Sequence, residues 1–365
     1  MYCASVVVPW WDHIELLRLW TNNLHHLSDA EVIFIDNGSA SQGKQELEEF
    51  CDRHAIRLIR NEENRGYAAA NNQGAAIATG EYILFLNNDV EILKPPVQYL
   101  CQLAGDGIAG PGPLQTITHE LCVEGWALCI KKSTLQAIGG WCEDYGAGYW
   151  DDVDLCYRAK YAGYRLICSG EFFSHNWTSP TTDAQRQNAW IHHLGGITGD
   201  DGRLQKTILD RQNQARFTQK FYPELKDINT IVFPDWSQPE EIISRELEQA
   251  VWTVLSHPNQ AHISLLIDGG DLSQEDACLI ASSVVMNVLL ENTLEITEEP
   301  TIAVLEKLHQ LEWEPIHCRL HARLRLPHEN ISVVDDRART LPIYSLDEFS
   351  QTQIIQEETG LWRLQ

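Results

Sequence analysis

Glu81-Tyr82-Ile83-Leu84-Phe85-Leu86-Asn87-Asn88-Asp89 is the stretch that decides how this chain folds: a short unbroken apolar run that ends on two amides and a carboxylate. A run of that length and composition predicts a strand buried on both faces. The same rhythm surrounds it. Ser5-Val6-Val7-Val8-Pro9-Trp10 leads into a helical pattern near Ile14 to Leu24, Glu31 to Asp36 into one near Lys44 to His54, and Ile56 to Arg60 into one near Gly66 to Thr79. Strands alternating with helices of this length predict βαβ units, hence an α/β fold with a mostly parallel sheet and helices on both faces. Ligands of such sheets bind outside the carboxyl ends of the strands, so the polar residues just after each apolar run are the ones to read for chemistry.

Composition narrows the function. The chain has 365 residues, 44% of them hydrophobic, enough for two domains of ordinary size. A net charge of −25 opposes binding to nucleic acid or to an anionic lipid surface. The ten cysteines form no CxxC pair and no Cys/His cluster at zinc-ligand spacing. Reduced thiols and a cytoplasmic location are the expectation. The sequence runs almost directly into Ser5-Val6-Val7-Val8, with no signal-peptide pattern, and no run approaches the roughly 18 apolar residues that span a bilayer. A peripheral membrane association stays open.

A helical pattern from about Asp183 to Lys220 closes the first region, expected to span residues 1–233. Phe233-Pro234-Asp235-Trp236-Ser237-Gln238-Pro239 reads as a linker, centred on 234–239. Residues 240–365 read as a smaller α/β module, with helices near Glu240 to Ser256, Gln274 to Leu290 and Ile302 to Leu311 around the strand-like runs Ile263-Ser264-Leu265-Leu266-Ile267 and Ile331-Ser332-Val333-Val334. From residue 234 onward the charge is −15, against −10 for the rest. Arg319, Arg323 and Arg325 form a basic stripe there that reads as an intramolecular salt-bridge face, with oligomerisation through this module left open.

The chemistry concentrates in the first region. Asp36-Asn37-Gly38-Ser39 ends one strand; its carboxylate can accept hydrogen bonds from a base or ribose, or can cap an Asn-Gly turn. Gly66 opens an alanine-rich helix containing Asn71, Asn72 and Gly74, whose N-terminus offers backbone N–H groups to a phosphate, unless the small residues serve only close packing. Asp89 can bind Mg²⁺ or Mn²⁺ bridging diphosphate oxygens, or can belong to a plain polar turn. Trp150-Asp151-Asp152-Val153-Asp154 places three carboxylates within four residues, a repulsive cluster unless a cation, a helix N-terminus or a substrate hydroxyl uses it. Asp154 and Arg158 are spaced as an i,i+4 ion pair. Phe172-Phe173-Ser174-His175 is a strand-like run ending in a histidine.

The order of these motifs resembles the inverting family 2 glycosyltransferases of the GT-A fold, and most of all their rhamnosyltransferase-like branch. The resemblance covers about residues 4–220. It runs from VVVPWW through DNGS, NRGYAAANNQG and LNNDV to IGGWCEDYGAGYWDDVDLCYRAKYAGYRL and the His175 segment. It implies that Pro9, Asp36 and Asn37 line the base and ribose site of a nucleotide-diphosphate sugar, that Gly66 and Asn71 close over the nucleotide, and that Asn87 and Asn88 flank it. The usual Asp-x-Asp metal motif stands here as Asn87-Asn88-Asp89, so Asp89 would carry the Mn or Mg contact, with His175 approaching metal or diphosphate. The Glu-Asp pair of the family stands as Asp151-Asp152, which makes Asp152 the expected base on the acceptor hydroxyl. Trp126, within Glu124 to Leu128, and Trp150 would form an acceptor wall, since aromatic faces pack on sugar rings. The acceptor would be a glycan, a lipid-linked group or a protein, in polysaccharide or glycoconjugate synthesis. A catalytically degenerate nucleotide-sugar or glycan-binding protein and a metal-dependent nucleotidyltransferase are the alternatives. A dinucleotide-binding dehydrogenase lacks its motif here, because no GxGxxG follows the first strand.

Overall fold

A computed structural model describes residues 3–112, 122–175, 186, 188–195, 206–270, 272–292, 299–305, 308, 310–356 and 362–365. The chain divides into two compact units, Met1–Phe217 and Thr218–Gln365.

In the first unit the described elements follow as β1 (Ala4–Trp10), α1 (Leu17–Asn23), β2 (Ala30–Asn37), α2 (Ser41–His54), β3 (Arg57–Asn61), α3 (Tyr67–Ile77), β4 (Tyr82–Leu86), β5 (Val90–Ile92), α4 (Val97–Ala104), β6 (Ile108–Gly110), β7 (Ala127–Lys131), α5 (Lys132–Ala137), α6 (Asp151–Tyr161), β8 (Leu166–Cys168), β9 (Phe173–His175), β10 (Ile191–His193) and α7 (Lys206–Phe221). Seven strands form one sheet in the order β3-β2-β1-β4-β7-β6-β8. β1 to β4 run parallel, and β7 is antiparallel to both β4 and β6. This is the mixed, mostly parallel α/β sheet that the apolar runs predict. The reversal at β7 matters for function, because it brings the start of β7 beside the end of β4, with Leu86 opposite Ala127.

Burial explains why these runs became strands. Val6, Val7 and Val8 of β1 and Ile83, Phe85 and Leu86 of β4 are all fully buried, as a strand covered on both faces requires. One face packs on Trp10, Trp20, Phe34 and Phe50, with the Trp10 and Phe34 rings stacked at 5.2 Å. The same packing holds the turn after β4. Trp20 donates its indole N–H to the Asn88 carbonyl at 2.7 Å, and Asn23 exchanges hydrogen bonds with Val90 O and Ile92 N. A small second sheet, β5-β10-β9, then continues from that turn.

The second unit differs from the expected boundary. β11 (Ile228–Val232) is the central strand of a five-stranded, all-parallel sheet with β12 (Ile263–Asp268), β13 (Thr301–Leu305), β14 (Ala322–Arg325) and β15 (Ile343–Ser345), in the order β13-β12-β11-β14-β15. The segment read as a linker is the turn between β11 and α8 (Glu240–Leu255), so the unit begins before it. Linkers and strand-to-helix turns share the same Pro- and Asp-rich composition. Two further expectations fail for a related reason. Ile331-Ser332-Val333-Val334 opens α11 (Ile331–Arg337), capped by the Asn330 side chain, and the helix expected from Ile302 is β13 before α10 (Gln310–His317) begins. The long α9 (Gln274–Glu291) matches its prediction. Of the basic stripe, Arg323 pairs with Glu329 at 3.4 Å. Among the described residues no helix is long and apolar enough to cross a membrane.

Candidate active site

The carboxyl end of β4 gathers the site. Asp89 is 2% exposed, and its Oδ1 lies 3.0 Å from Nε2 of His193, itself 2% exposed. β10 delivers that histidine by pairing antiparallel with β5, which sets His193 opposite Val90, and the Leu194 N–H donates to the Asp89 carbonyl. The Asn87 amide nitrogen stands 3.4 Å from the same imidazole nitrogen. His193 does not appear among the expected site residues, because the segment around it reads as helix. The Trp190-Ile191-His192-His193-Leu194 run, with aromatic and β-branched residues ahead of Gly195-Gly196, was the available signal. His175, the expected partner of the metal, sits one strand away in β9 with its backbone in register with His193. Its side chain lies outside the described residues.

Glu124, Gly125 and Trp126 join the two halves of the site. The Trp126 indole stacks on the His193 ring at 4.8 Å and 8°, while its N–H donates to Glu124 Oε2. The Gly125 N–H donates to Asp152 Oδ2 at 2.9 Å, and the Tyr67 hydroxyl donates to the Gly125 carbonyl at 2.7 Å. The Asn87 N–H closes the arrangement on the Trp126 carbonyl. Burial raises the Glu124 carboxyl above its ordinary range against the pull of the Trp126 N–H. Burial, reinforced by Asp151, Asp152 and Asp89, likewise raises the Tyr67 phenol and keeps it a donor. From the sequence, Glu124 is expected only as one end of the acceptor-wall stretch, and Tyr67 only as part of the NRGY motif.

α6 carries the acidic cluster on its first turn. Asp152 is half-buried and accepts from the Gly125 and Val153 N–H groups, whereas Asp151 is 4% exposed and its Oδ2 has no hydrogen-bond partner among the described residues. Burial pushes the Asp151 carboxyl up to about 8, with the Asp152 charge adding to the effect. Asp152 is also raised by burial, but its two N–H donors favour the ionised form. A proton shared by this pair therefore rests on Asp151. Asp154 forms the expected i,i+4 pair with Arg158 at 2.6 Å.

Other expected residues are placed as follows. Asp36 is fully buried, accepts from Ser39 N at 3.0 Å and faces Arg60 Nε at 3.4 Å, so it holds its own turn. Asn37 is equally committed: its amide nitrogen donates to Asn64 Oδ1 and Gly66 O, and its oxygen accepts from Asn61 and from Arg65 N. The Gly66 N–H is donated to Asn64 Oδ1 at 2.9 Å rather than held for a phosphate. The glycine is required for another reason, since φ is +91° and a Cβ would lie 1.9 Å from the Gly146 carbonyl oxygen. Pro9 is half-buried near the end of β1. Asn88 is 4% exposed in the turn. The Asn71 amide is fully buried, and neither of its polar atoms has a hydrogen-bond partner among the described residues; Asn87 Oδ1 is in the same position. Trp126 and Trp150 are each 4% exposed; Trp126 stacks on His193, whereas Trp150 packs on Phe217 and donates its indole N–H to Asp210.

Residues 5–109 match the model of "Glycosyl transferase family 2". The O-antigen biosynthesis protein RfbC of Myxococcus xanthus is 25% identical over 229 residues, 50% of this chain and 18% of that protein. The pre-mycofactocin glycosyltransferase of Mycobacterium tuberculosis (strain ATCC 25618 / H37Rv) is 26% identical over 195 residues, 45% of this chain and 40% of that protein. The chain thus spans less than half the length of either relative. A mannosyltransferase from Pyrobaculum calidifontis, solved with GDP-Man and Mn²⁺, superposes with a TM-score of 0.40 and 20% identity over 46% of this chain and 54% of that one. Residues 5–109, from β1 into β6, are thus similar to glycosyltransferase family 2, and the later motifs follow behind them in the same unit.

Proposed function

We propose that the N-terminal unit transfers a sugar from a nucleoside-diphosphate donor to an acceptor hydroxyl, by a single displacement with inversion. The observation that carries this reading is the linkage of the buried Asp89–His193 pair to the half-buried Asp152 through Glu124-Gly125-Trp126. The named relatives act in O-antigen and mycofactocin assembly, which supports an acceptor in glycan or glycoconjugate synthesis. The donor's base and sugar are left to experiment.

Asp89 and His193 fit a divalent cation. Their facing atoms are 3.0 Å apart, the span between adjacent ligands around an ion with bonds of about 2.1 Å. Among the described residues no three His, Cys, Asp or Glu side chains converge into a cage. That suits Mg²⁺ or Mn²⁺, which take one or two protein ligands and fill the rest from substrate phosphates and water. When bound, the cation would supply charge neutralisation for the leaving diphosphate.

The remaining steps belong to side chains. Asp152, held by its two backbone donors, takes the acceptor proton as the hydroxyl oxygen attacks the anomeric carbon, a role typically worth about 10²–10⁴-fold in rate. Asp151 holds a proton beside it and so spares Asp152 a second adjacent charge. The Tyr67 hydroxyl fixes the Gly125 carbonyl, which aims the Gly125 N–H at Asp152. Asn71 and Asn87 have buried amide atoms without hydrogen-bond partners among the described residues, which polar groups of a ligand would satisfy.

The deciding experiment incubates the protein with Mn²⁺ or Mg²⁺ and a panel of UDP-, GDP- and dTDP-sugars, and measures nucleotide release with and without candidate acceptors. Release that depends on the cation and on an acceptor is expected. Donor binding without turnover against every acceptor would turn the unit into a binding module.

A further inference from the structure

The backbone leading into α6 holds a conformation that its own residues disfavour. Tyr149 and Trp150 have φ of +68° and +71°, two consecutive side-chain-bearing residues in the left-handed region, behind Gly146 at +62° and Gly148 at +134°. L-residues rarely adopt this region, and two in succession persist only when the surroundings impose them.

α7 imposes them. Lys206, Asp210, Asn213 and Phe217 are spaced four, three and four residues apart, which places them on one helix face. The Lys206 ammonium lies 5.7 Å from the Tyr149 ring centroid, Asp210 Oδ1 accepts the Trp150 indole N–H at 3.0 Å, and Phe217 packs on Trp150 at 5.2 Å. Between them the Asn213 amide, 1% exposed, donates to the carbonyls of Tyr145 (2.8 Å), Gly148 (2.7 Å) and Tyr149 (3.2 Å). An amide nitrogen has two hydrogens, so one of them is shared between two of these three carbonyls.

The loop touches both sides of the site. Its Gly146 carbonyl abuts Gly66 at the start of α3, and its last residue precedes Asp151 and Asp152. We propose that Asn213 is a positioning residue for transfer: by fixing residues 145–149 it sets the direction from which Asp152 meets the acceptor. The role rests on the glycosyl-transfer reading above, although Asn213 itself touches neither donor nor acceptor in it.

The test uses the full chain and compares wild type with Asn213→Ala, Asn213→Asp, which keeps the shape but removes the donors, and Trp150→Phe, which keeps the ring but removes its N–H. Two quantities are read: kcat and donor affinity with whichever sugar of the UDP, GDP and dTDP panel the wild type turns over, and amide hydrogen exchange of peptides covering 143–151 and 82–92. For both Asn213 variants kcat should fall by about 10–100-fold, the scale of a small misplacement at a reacting group, while donor Kd stays within about twofold. Exchange should rise across 143–151 and not across 82–92. Trp150→Phe should move kcat and exchange in the same direction by less, and it decides the matter if neither Asn213 variant folds. Wild-type kcat and exchange in a folded variant would overturn the proposal, as would donor affinity falling in step with kcat. Should the wild type turn over no donor, glycosyl transfer itself fails as the function, and the exchange comparison still decides whether Asn213 holds the loop.

Discussion

Replacing Asp151 by asparagine should make the N-terminal unit more stable, and increasingly so as pH rises. The Asp151 carboxyl is raised from 3.8 to about 8, first by burial and then by the neighbouring Asp152 charge. Between those values the unfolded chain has lost the proton that the folded chain keeps. The group's contribution to stability is therefore fully present below pH 3.8, falls by about 1.4 kcal/mol per pH unit above it, and is lost once the pH passes 8. From pH 5 to pH 8 the full slope amounts to roughly 4 kcal/mol. Water penetration and dielectric relaxation around a buried carboxylate reduce this to about 2–4 kcal/mol. The amide of the Asp151→Asn variant would keep the size of the side chain and cannot ionise. For a unit of 217 residues each kcal/mol moves Tm by about 2–4 °C, so the variant's advantage over wild type should widen by roughly 5–15 °C from pH 5 to pH 8. Scanning calorimetry of both proteins from pH 5 to 9, in EDTA and with the two units' transitions resolved, reads this difference. Taking the difference removes the general loss of stability expected of a chain with net charge −25. A gap between variant and wild type that stays constant across the range would mean that Asp151 ionises normally, and the assignment of the shared proton would fail with it.

Four further outcomes follow from the same geometry. Asp152→Asn should reduce nucleotide release at least about 100-fold while donor affinity, measured by calorimetric titration, stays near wild type; unchanged turnover would remove Asp152 as the base. Asp89→Ala and His193→Ala should each weaken cation-dependent donor binding about tenfold or more, and chelation should do the same to wild type; a His193→Ala protein with a normal Mn²⁺ response would separate that histidine from the site. Gly66→Ala should cost about 3 kcal/mol in denaturant titrations, because the new methyl meets the Gly146 carbonyl in a backbone region hostile to alanine. In the second unit Arg323→Ala should cost about 3–5 kcal/mol, since it strands Glu329, whose side chain is 6% exposed; a neutral melting profile would show that water reaches that carboxylate.

The sequence carried the sheet more faithfully than the side-chain contacts. Continuous apolar runs such as Glu81 to Leu86 can only be buried strands in an α/β alternation, and their carboxyl ends had to carry the polar groups. β10 escaped because three residues, Ile191 to His193, are too few to show a period. Their extended form comes from pairing with β5 and β9, partners about 100 and 18 residues distant that no local pattern reveals. With β10 went His193. Asp36 and Asn37 show a different limit, since residue type announces hydrogen-bonding capacity and says nothing of where it is used. In the folded chain that capacity is consumed in holding the loops after β2 and β3.

The two units build related sheets and treat their carboxyl edges in opposite ways. In the second unit the strand order reverses between β11 and β14, where a doubly wound sheet ordinarily opens a ligand crevice. Here the loops after those strands are bridged to each other: Pro234 pairs with Glu329, Asp235 N–H donates to the His328 carbonyl, and Asn330 N–H donates to the Phe233 carbonyl. Trp236 adds a bond to the Asp268 carbonyl, and the buried Arg323 and Glu329 charges compensate each other. In the first unit the Asn71 amide, the Asn87 oxygen and one Asp151 oxygen are buried without such partners among the described residues. A buried polar group left unpaired costs about 1–3 kcal/mol, and the second unit carries that cost too, at Arg323 Nε and Glu329 Oε1. At Asn71, Asn87 and Asp151 a bound donor or acceptor is expected to offset that cost.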